Sequence, residues 1–259
     1  MVYKSLKLRD SAKTLTVVLI AFALFSCKDK KQETTIQQDV IPAEKTSEVN
    51  DRTLIFEENF ESDLSKWQVE QMPGGMVEIN NGKLEITDAG GCTVWLKEKF
   101  EGPIVIEYDV FLIKDGGPYD RVSDLNCFWM AKDPEHPDNL FANSEQRGGK
   151  FSNYDSLRLY YMGVGGNDNG TTRFRRYTGT GERPLLPEHD LKDAKYMLES
   201  NTGYHIKIVA NGETIQYYRD NELFSDFNDP APYTSGYFGF RTVKNHMTVD
   251  NFKVYSLKN

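Results

Sequence analysis

Along much of the chain apolar and polar residues alternate one by one, the period of a strand with one buried face. The clearest run is 103–114, where Ile104, Ile106, Tyr108, Val110 and Leu112 share one side and Glu107 and Asp109 fall on the other. Shorter runs follow the same rule at 53–60, 76–80, 83–87, 93–100, 124–131, 156–162, 171–177, 204–210, 214–219, 237–243 and 247–256. Asn81-Gly82, Asn211-Gly212 and Asp220-Asn221 stand between such runs and mark tight turns, because these residues tolerate positive φ. Only 191–199 has a helical look, as a short piece of a long loop. A dozen strands without helices predict an all-β fold, a sandwich or jelly roll.

Two irregular segments, 132–153 and 178–202, interrupt the rhythm, and loops this long within a domain are usually functional or disordered. They flank the hairpin 154–177, YDSLRLYYMGVGGNDNGTTRFRRY. Alternation places Leu157, Leu159 and Tyr161 on one face of its first run, with Ser156, Arg158 and Tyr160 on the other. In the second run Thr171, Arg173, Arg175 and Tyr177 fall together, opposite Phe174. With the leucine face taken as core, Tyr160 is expected exposed. The hairpin then offers arginines and tyrosines to a ligand, and the two segments either wall a cleft beside it or are plain surface insertions.

The N-terminus changes the picture. Lys4, Lys7, Arg9 and Lys13 precede an apolar run, 15–25, that is short for a membrane span and has the shape of a secretory signal. It ends in Leu24-Phe25-Ser26-Cys27, which resembles a bacterial lipobox, so cleavage before Cys27 and lipidation of its thiol are expected. Lys28 follows the cysteine in place of the Asp that retains enterobacterial lipoproteins at the inner membrane, which favours the outer membrane, on its periplasmic or surface side. Residues 27–52, rich in Lys, Gln, Glu, Thr and Ser, read as a flexible tether ahead of a domain over 53–259.

Composition then narrows the function. A hydrophobic share of 39% with 12% aromatic residues is enough for a packed core, and 259 residues suit a single large β domain. The net charge of −8 argues against nucleic acid as partner, and no phosphate-binding or dinucleotide-binding glycine motif is present. Cys92 and Cys127 lie in strand-like runs and fit either a disulfide or two free buried thiols. Four scattered histidines signal no catalytic zinc site.

Three stretches carry a resemblance. The opening LIFEENFESDLSKWQVE, the middle GETIQYYRDNELFSDFNDP and the ending GYFGFRTVKNHMTVDNFKVYSL are similar to strands of concanavalin A-like sandwich domains from polysaccharide-degrading bacteria. The likeness spans about 53–258 and lies near the YesU-type proteins of rhamnogalacturonan-utilisation clusters. It implies a concanavalin A-like jelly-roll β-sandwich, paired first and last strands, and a ligand across a concave sheet. The catalytic patterns of that fold do not carry over. Glu107-Tyr108-Asp109-Val110-Phe111-Leu112 lacks the last acid of the E-x-D-x-x-E strand of retaining glucanases, and the Gln-Ile-His of sandwich-type alginate lyases is missing.

What remains suits elimination at a uronate, which needs a cation on the carboxylate, a base for the adjacent proton and an acid for the leaving oxygen. Arg158, Arg173, Arg175 and Arg241 are the candidates for the carboxylate, since a guanidinium binds it bidentately. Tyr160, Tyr177 and His246 are the candidates for proton transfer, and Asn126, opposite in parity to Trp129, for a sugar hydroxyl. No cofactor is implied, although the Asp/Asn oxygens of the loop 165–170 would suit Ca²⁺. The expected partner is an acidic polysaccharide or oligosaccharide. A non-catalytic glycan-binding module is the rival to an enzyme.

Overall fold

The computed structural model describes residues 51–258. In chain order the strands are β1 (Arg52–Glu58), β2 (Trp67–Gln71), β3 (Met76–Asn80), β4 (Lys83–Thr87), β5 (Cys92–Glu101), β6 (Ile104–Leu112) and β7 (Leu125–Lys132). They continue as β8 (Arg158–Gly165), β9 (Thr171–Thr178), β10 (Asp190–Leu191), β11 (Thr202–Asn211), β12 (Thr214–Arg219), β13 (Glu222–Asn228), β14 (Ser235–Thr242) and β15 (His246–Leu257). One sheet has the order β13-β12-β11-β6-β15-β4-β3, with β1 also paired to β15. The other runs β10-β9-β8-β7-β14-β5-β2. All pairings are antiparallel, and first and last strands meet from Arg52↔Leu257 onward, as the resemblance implies.

The jelly-roll sandwich follows from the alternation. β6 lies between β11 and β15, and its five alternate apolar side chains are buried, each stabilising by roughly 1.5–3 kcal/mol. They face Trp129, Tyr160, Phe174, Phe238 and Phe240 of the second sheet across one continuous core. The hairpin turns carry the positive φ that their residues predict: Asn81 and Gly82 at 51° and 69°, Asp220 and Asn221 at 51° and 66°. Cys92 and Cys127 are free and buried. Burial pushes both thiols up, Cys127 to about 12, so neither is a nucleophile at neutral pH.

The structure departs from expectation in three places. The helical look of 191–199 resolves into β10 and one 3₁₀ turn, Ala194–Tyr196, because β10 pairs with the edge of β9. β2 went unforeseen, since its WQVEQ carries few turn signals and gains its structure by pairing with β5. The third departure positions the site. Segment 133–157 does not wander over the surface but folds down on the outer face of the second sheet. There Leu140, Tyr154 and Leu157 pack with Trp95, Phe128, Leu159, Tyr161 and Tyr177 in a second core. One buried acid fastens it: Glu70 of β2, 2% exposed, accepts from Arg147 Nη2 (2.6 Å) and Nε (3.1 Å), Ser144 Oγ (2.7 Å) and Tyr154 Oη (2.6 Å).

Candidate functional site

Direct cross-strand neighbours share a face, and the register draws one polar row across all seven strands of the second sheet. It reads Glu70, Thr93, Arg241, Asn126, Gly163, Arg173 and Asp190. Segment 133–157 covers the Glu70 end of this row. At the other end, over β7, β8 and β9, the face opens into a cavity of about 490 Å³. Asn126, Gly163, Arg173, Tyr161 and Arg175 lie along the strands that line it, with Asp124 and Arg121 just before β7. Phe151 from one long segment and Arg183 from the other join the wall, as do the turn 166–168, Thr171 and Val243.

Position 163 has no side chain, and Tyr161 takes the space one would fill. A Cβ there would collide with the Tyr161 hydroxyl and lie 2.6 Å from its Cζ, so the ring of Tyr161 lies across the glycine. The Tyr161 hydroxyl has no hydrogen-bond partner among the described residues. Burial, then the nearby Tyr177 and Asp124, push this phenol well above its usual range, so it holds its proton at neutral pH.

The charges are unevenly matched. Arg121 donates from Nε to Asp168 (2.8 Å) and from Nη1 to the Val243 carbonyl (2.9 Å), and lies 3.2 Å from Asp124 Oδ2. Arg173 Nε reaches Asp190 at 2.7 Å. Arg183 stands 3.5 Å from Asp155. Arg175 differs: its Nη1 donates to the Arg183 carbonyl at 2.5 Å, and it has no ion pair among the described residues. Asp124, held in the left-handed region at φ 59°, accepts from Ser123 Oγ at 2.7 Å and weakly from Asn126 Nδ2 at 3.4 Å. Burial pushes its carboxyl up despite these donors and Arg121, which makes it a stronger base than an ordinary carboxylate.

Of the candidates read from sequence, the cavity brings together Asn126, Arg173 and Arg175. Arg241 shares their face, opposite Asn126, but is fully buried beneath segment 149–154. Tyr160 is a correction. It faces the main core, 0% exposed, where its hydroxyl donates to Asp229 (2.6 Å) and accepts from the Tyr233 amide (2.9 Å). The parity was right and the face wrong, because the leucine side of β8 has its own cover in the second core. Tyr177 is buried in that second core, where its hydroxyl accepts from Arg183 Nη1 at 3.5 Å. Arg158 lies over the Tyr233 ring at 4.8 Å, outside the cavity lining. His246 belongs to the first sheet, with Nδ1 2.9 Å from Asp120 and Nε2 2.7 Å from Glu85. Cys27 lies outside the described residues.

Asp124, Arg121, Tyr161, Gly163, Phe151 and Arg183 were missed. Tyr161 carried a signal, since it pairs with Arg175 and alternates with Gly163 on one face. The loop 165–170 spends its side chains internally: Asp168 on Arg121, Asn169 on Leu198, Asn167 on Thr171. Among the described residues no group of three or more His, Cys, Asp or Glu could hold a metal ion.

The chain belongs to the family described as a domain of unknown function, DUF6250, whose model matches residues 86–252. That span contains the whole cavity. No curated protein sequence matches the chain. Among solved structures it is similar to a Bacillus subtilis protein of unknown function with a galectin-like fold. The identity is 16% and the TM-score 0.62, over 80% of this chain and 98% of that one. The endo-beta-1,3-glucanase of Pyrococcus furiosus matches at 16% identity and TM-score 0.50, over 80% and 95% of the two chains. The Emp46p carbohydrate recognition domain, in a potassium-bound form, matches at 15% and 0.51, over 76% and 91%. These likenesses show the galectin-like and concanavalin A-like jelly-roll fold.

Proposed function

We propose that this DUF6250 domain takes an acidic saccharide into the cavity over β7–β9 and acts on it by β-elimination at a uronate. Arg175 carries the reading: a half-buried cation with no ion pair among the described residues, beside a tyrosine hydroxyl with no hydrogen-bond partner among them, is what a carboxylate-bearing sugar would complete. Glycan as ligand class is supported by the structural neighbours whose names specify a glucanase and a carbohydrate recognition domain.

Each step has a residue. Arg175 neutralises the uronate carboxylate and so acidifies the hydrogen on the adjacent carbon. The Asp124 carboxylate takes that proton, the bond to the leaving glycosidic oxygen breaks, and Tyr161 passes its proton to that oxygen. The electron pair of the broken C–H bond becomes the double bond of an unsaturated uronate. The likeness to YesU-type proteins makes pectic acids the first substrates to try. The basic start, apolar run and Cys27 support a lipid tether to the outer membrane ahead of this domain.

A second reading, a non-catalytic glycan-binding module, is favoured by one observation: the Asp124 oxygens are already engaged by Ser123 and Arg121, which leaves them less free to reach a substrate hydrogen. Incubating the full chain with pectic, algal and glycosaminoglycan polysaccharides separates the two. Ultraviolet absorbance of unsaturated uronate that Tyr161→Phe and Asp124→Asn abolish is the expected result. Retention on an affinity gel without absorbance or new reducing ends would leave the binding module.

A further inference from the structure

The covered half of the polar row holds a second cation, different in kind from those of the open cavity. Arg241 is 0% exposed, and no carboxylate lies within ion-pair distance of it among the described residues. Its Nη1 is spent on the Gly149 carbonyl (2.6 Å) and Thr93 Oγ1 (3.1 Å). Its Nε and Nη2 are buried without a hydrogen-bond partner. Those two nitrogens form the side-on fork of a guanidinium, the edge that fits both oxygens of a carboxylate. Elsewhere this chain fills that fork with an acid: Arg147 gives it to Glu70 and Arg121 to Asp168. An uncompensated buried charge costs several kcal/mol, so a fold seldom keeps one without a use.

Its surroundings point into the site. Asn126, the direct neighbour of Arg241 across the strand pair, lines the cavity, is 2% exposed and has an unpartnered Oδ1. Phe151 also lines the cavity, and its ring centroid lies 5.0 Å from the Arg241 guanidinium carbon. The Tyr154 ring lies as close, at 5.1 Å, so two rings flank the guanidinium and Phe151 is the one that also faces the cavity.

We propose that Arg241 and Asn126 form an inner oxyanion subsite, reached past Phe151, in which the Arg241 fork binds an anionic group of the saccharide and the Asn126 carbonyl accepts from a hydroxyl. It rests on the cavity being the saccharide site and adds a second anion to the ligand: the substrate carries acidic groups on neighbouring units, one for Arg175 and one for Arg241. A carboxylate and a sulfate ester offer the same two oxygens, and the test distinguishes them.

Thermal melting of the full chain with sodium galacturonate, with inorganic sulfate, with galactose and with chloride at matched ionic strength reads the subsite apart from any turnover. The variants are Arg241→Met, which keeps the volume and removes the charge, Arg175→Ala and Phe151→Ala. Galacturonate should raise the melting temperature of the wild type and of Arg175→Ala, and clearly less that of Arg241→Met, where only Arg175 is left for the carboxylate and apparent affinity is weakened at least about tenfold, the loss of one charge-assisted bidentate pair. Phe151→Ala, which opens the way to the fork, should enlarge the shift. Without ligand, Arg241→Met should melt no lower than the wild type, because an unpaired buried charge is gone. A shift with sulfate alone, lost in Arg241→Met, keeps the subsite and makes sulfate esters its group. An equal shift in wild type and Arg241→Met, or no shift in either, overturns it. If the polysaccharide panel fails while the galacturonate shift still needs Arg241, the subsite stands and the elimination reading falls.

Discussion

Replacing Glu70 by Ala should release the segment that covers half of the sheet. Its carboxylate is the shared acceptor of Arg147, Ser144 and Tyr154, and both members of the Glu70–Arg147 pair are at least 97% buried. Removing one partner of such a pair costs about 3–5 kcal/mol, because the other is left buried and charged. Arg147 is badly placed to recover, since its Nη1 already lacks a hydrogen bond and Asp133 lies 3.9 Å away. The Tyr154 hydroxyl loses its acceptor too, but the two losses belong to one network and do not add fully. A total of about 4 kcal/mol corresponds to roughly a thousandfold faster local opening. Hydrogen exchange is the assay. The amides of Gly148 and Leu157, bonded to the Ser144 and Tyr154 carbonyls, should lose protection while those of β6 and β15 keep theirs. Glu70→Gln, which keeps acceptor and shape, should fall between. Acceleration under tenfold at 140–157, or equal acceleration across the core strands, would refute the claim that Glu70 fastens this segment.

Further outcomes can be checked. Tyr160→Phe should cost about 1–2 kcal/mol in urea unfolding, the loss of a buried bond to Asp229, and leave saccharide binding unchanged. Tyr161→Phe should leave stability within about 0.5 kcal/mol, since its hydroxyl has no hydrogen-bond partner among the described residues, and abolish turnover. Gly163→Ala should force Tyr161 aside and abolish retention on the affinity gel while the circular dichroism of the fold persists. In acid, burial pushes Glu85 and Asp120 up, but hydrogen bonds win: His246 and Asn80 on Glu85, the Asp115 and Gly117 amides and His246 on Asp120. Both end below the usual range of such carboxyls. A depressed folded pKa stabilises above the unfolded value and is lost as pH falls through the folded one. The urea midpoint should therefore drop as pH is lowered below about 4.5, and less steeply in Asp120→Asn.

Much of the fold was legible because a sandwich strand announces itself by period. β6 buries the five residues that alternation assigns to one face, and the turn pairs fall where φ must be positive. The site was legible only in part. Arg173, Arg175 and Asn126 follow from parity, but parity never says which face is wet. Tyr160 and Tyr161 exchanged roles because a segment without strand or helix periodicity brought its own core, through Leu140, Tyr154 and Leu157, to the side that sequence would leave in water. Asp124 and Arg121 come from a connection before β7, where alternation has nothing to count. Arg241 was a candidate by its chemistry, yet its burial depends on Gly149 and Phe151, some ninety residues away in sequence.

That same cover sets a length. Neighbouring strands stand about 4.8 Å apart, so the uncovered part of the row, from Asn126 on β7 to Arg173 on β9, measures about 10 Å. A trough across all seven strands would be three times as long and would let a polymer lie through it from side to side. Here the second core closes one direction, and what is left is a berth a few sugar rings long with a wall at its inner end. For the saccharide proposed above, such a shape favours the tip of a chain, or a fragment already cut, over the middle of a long one.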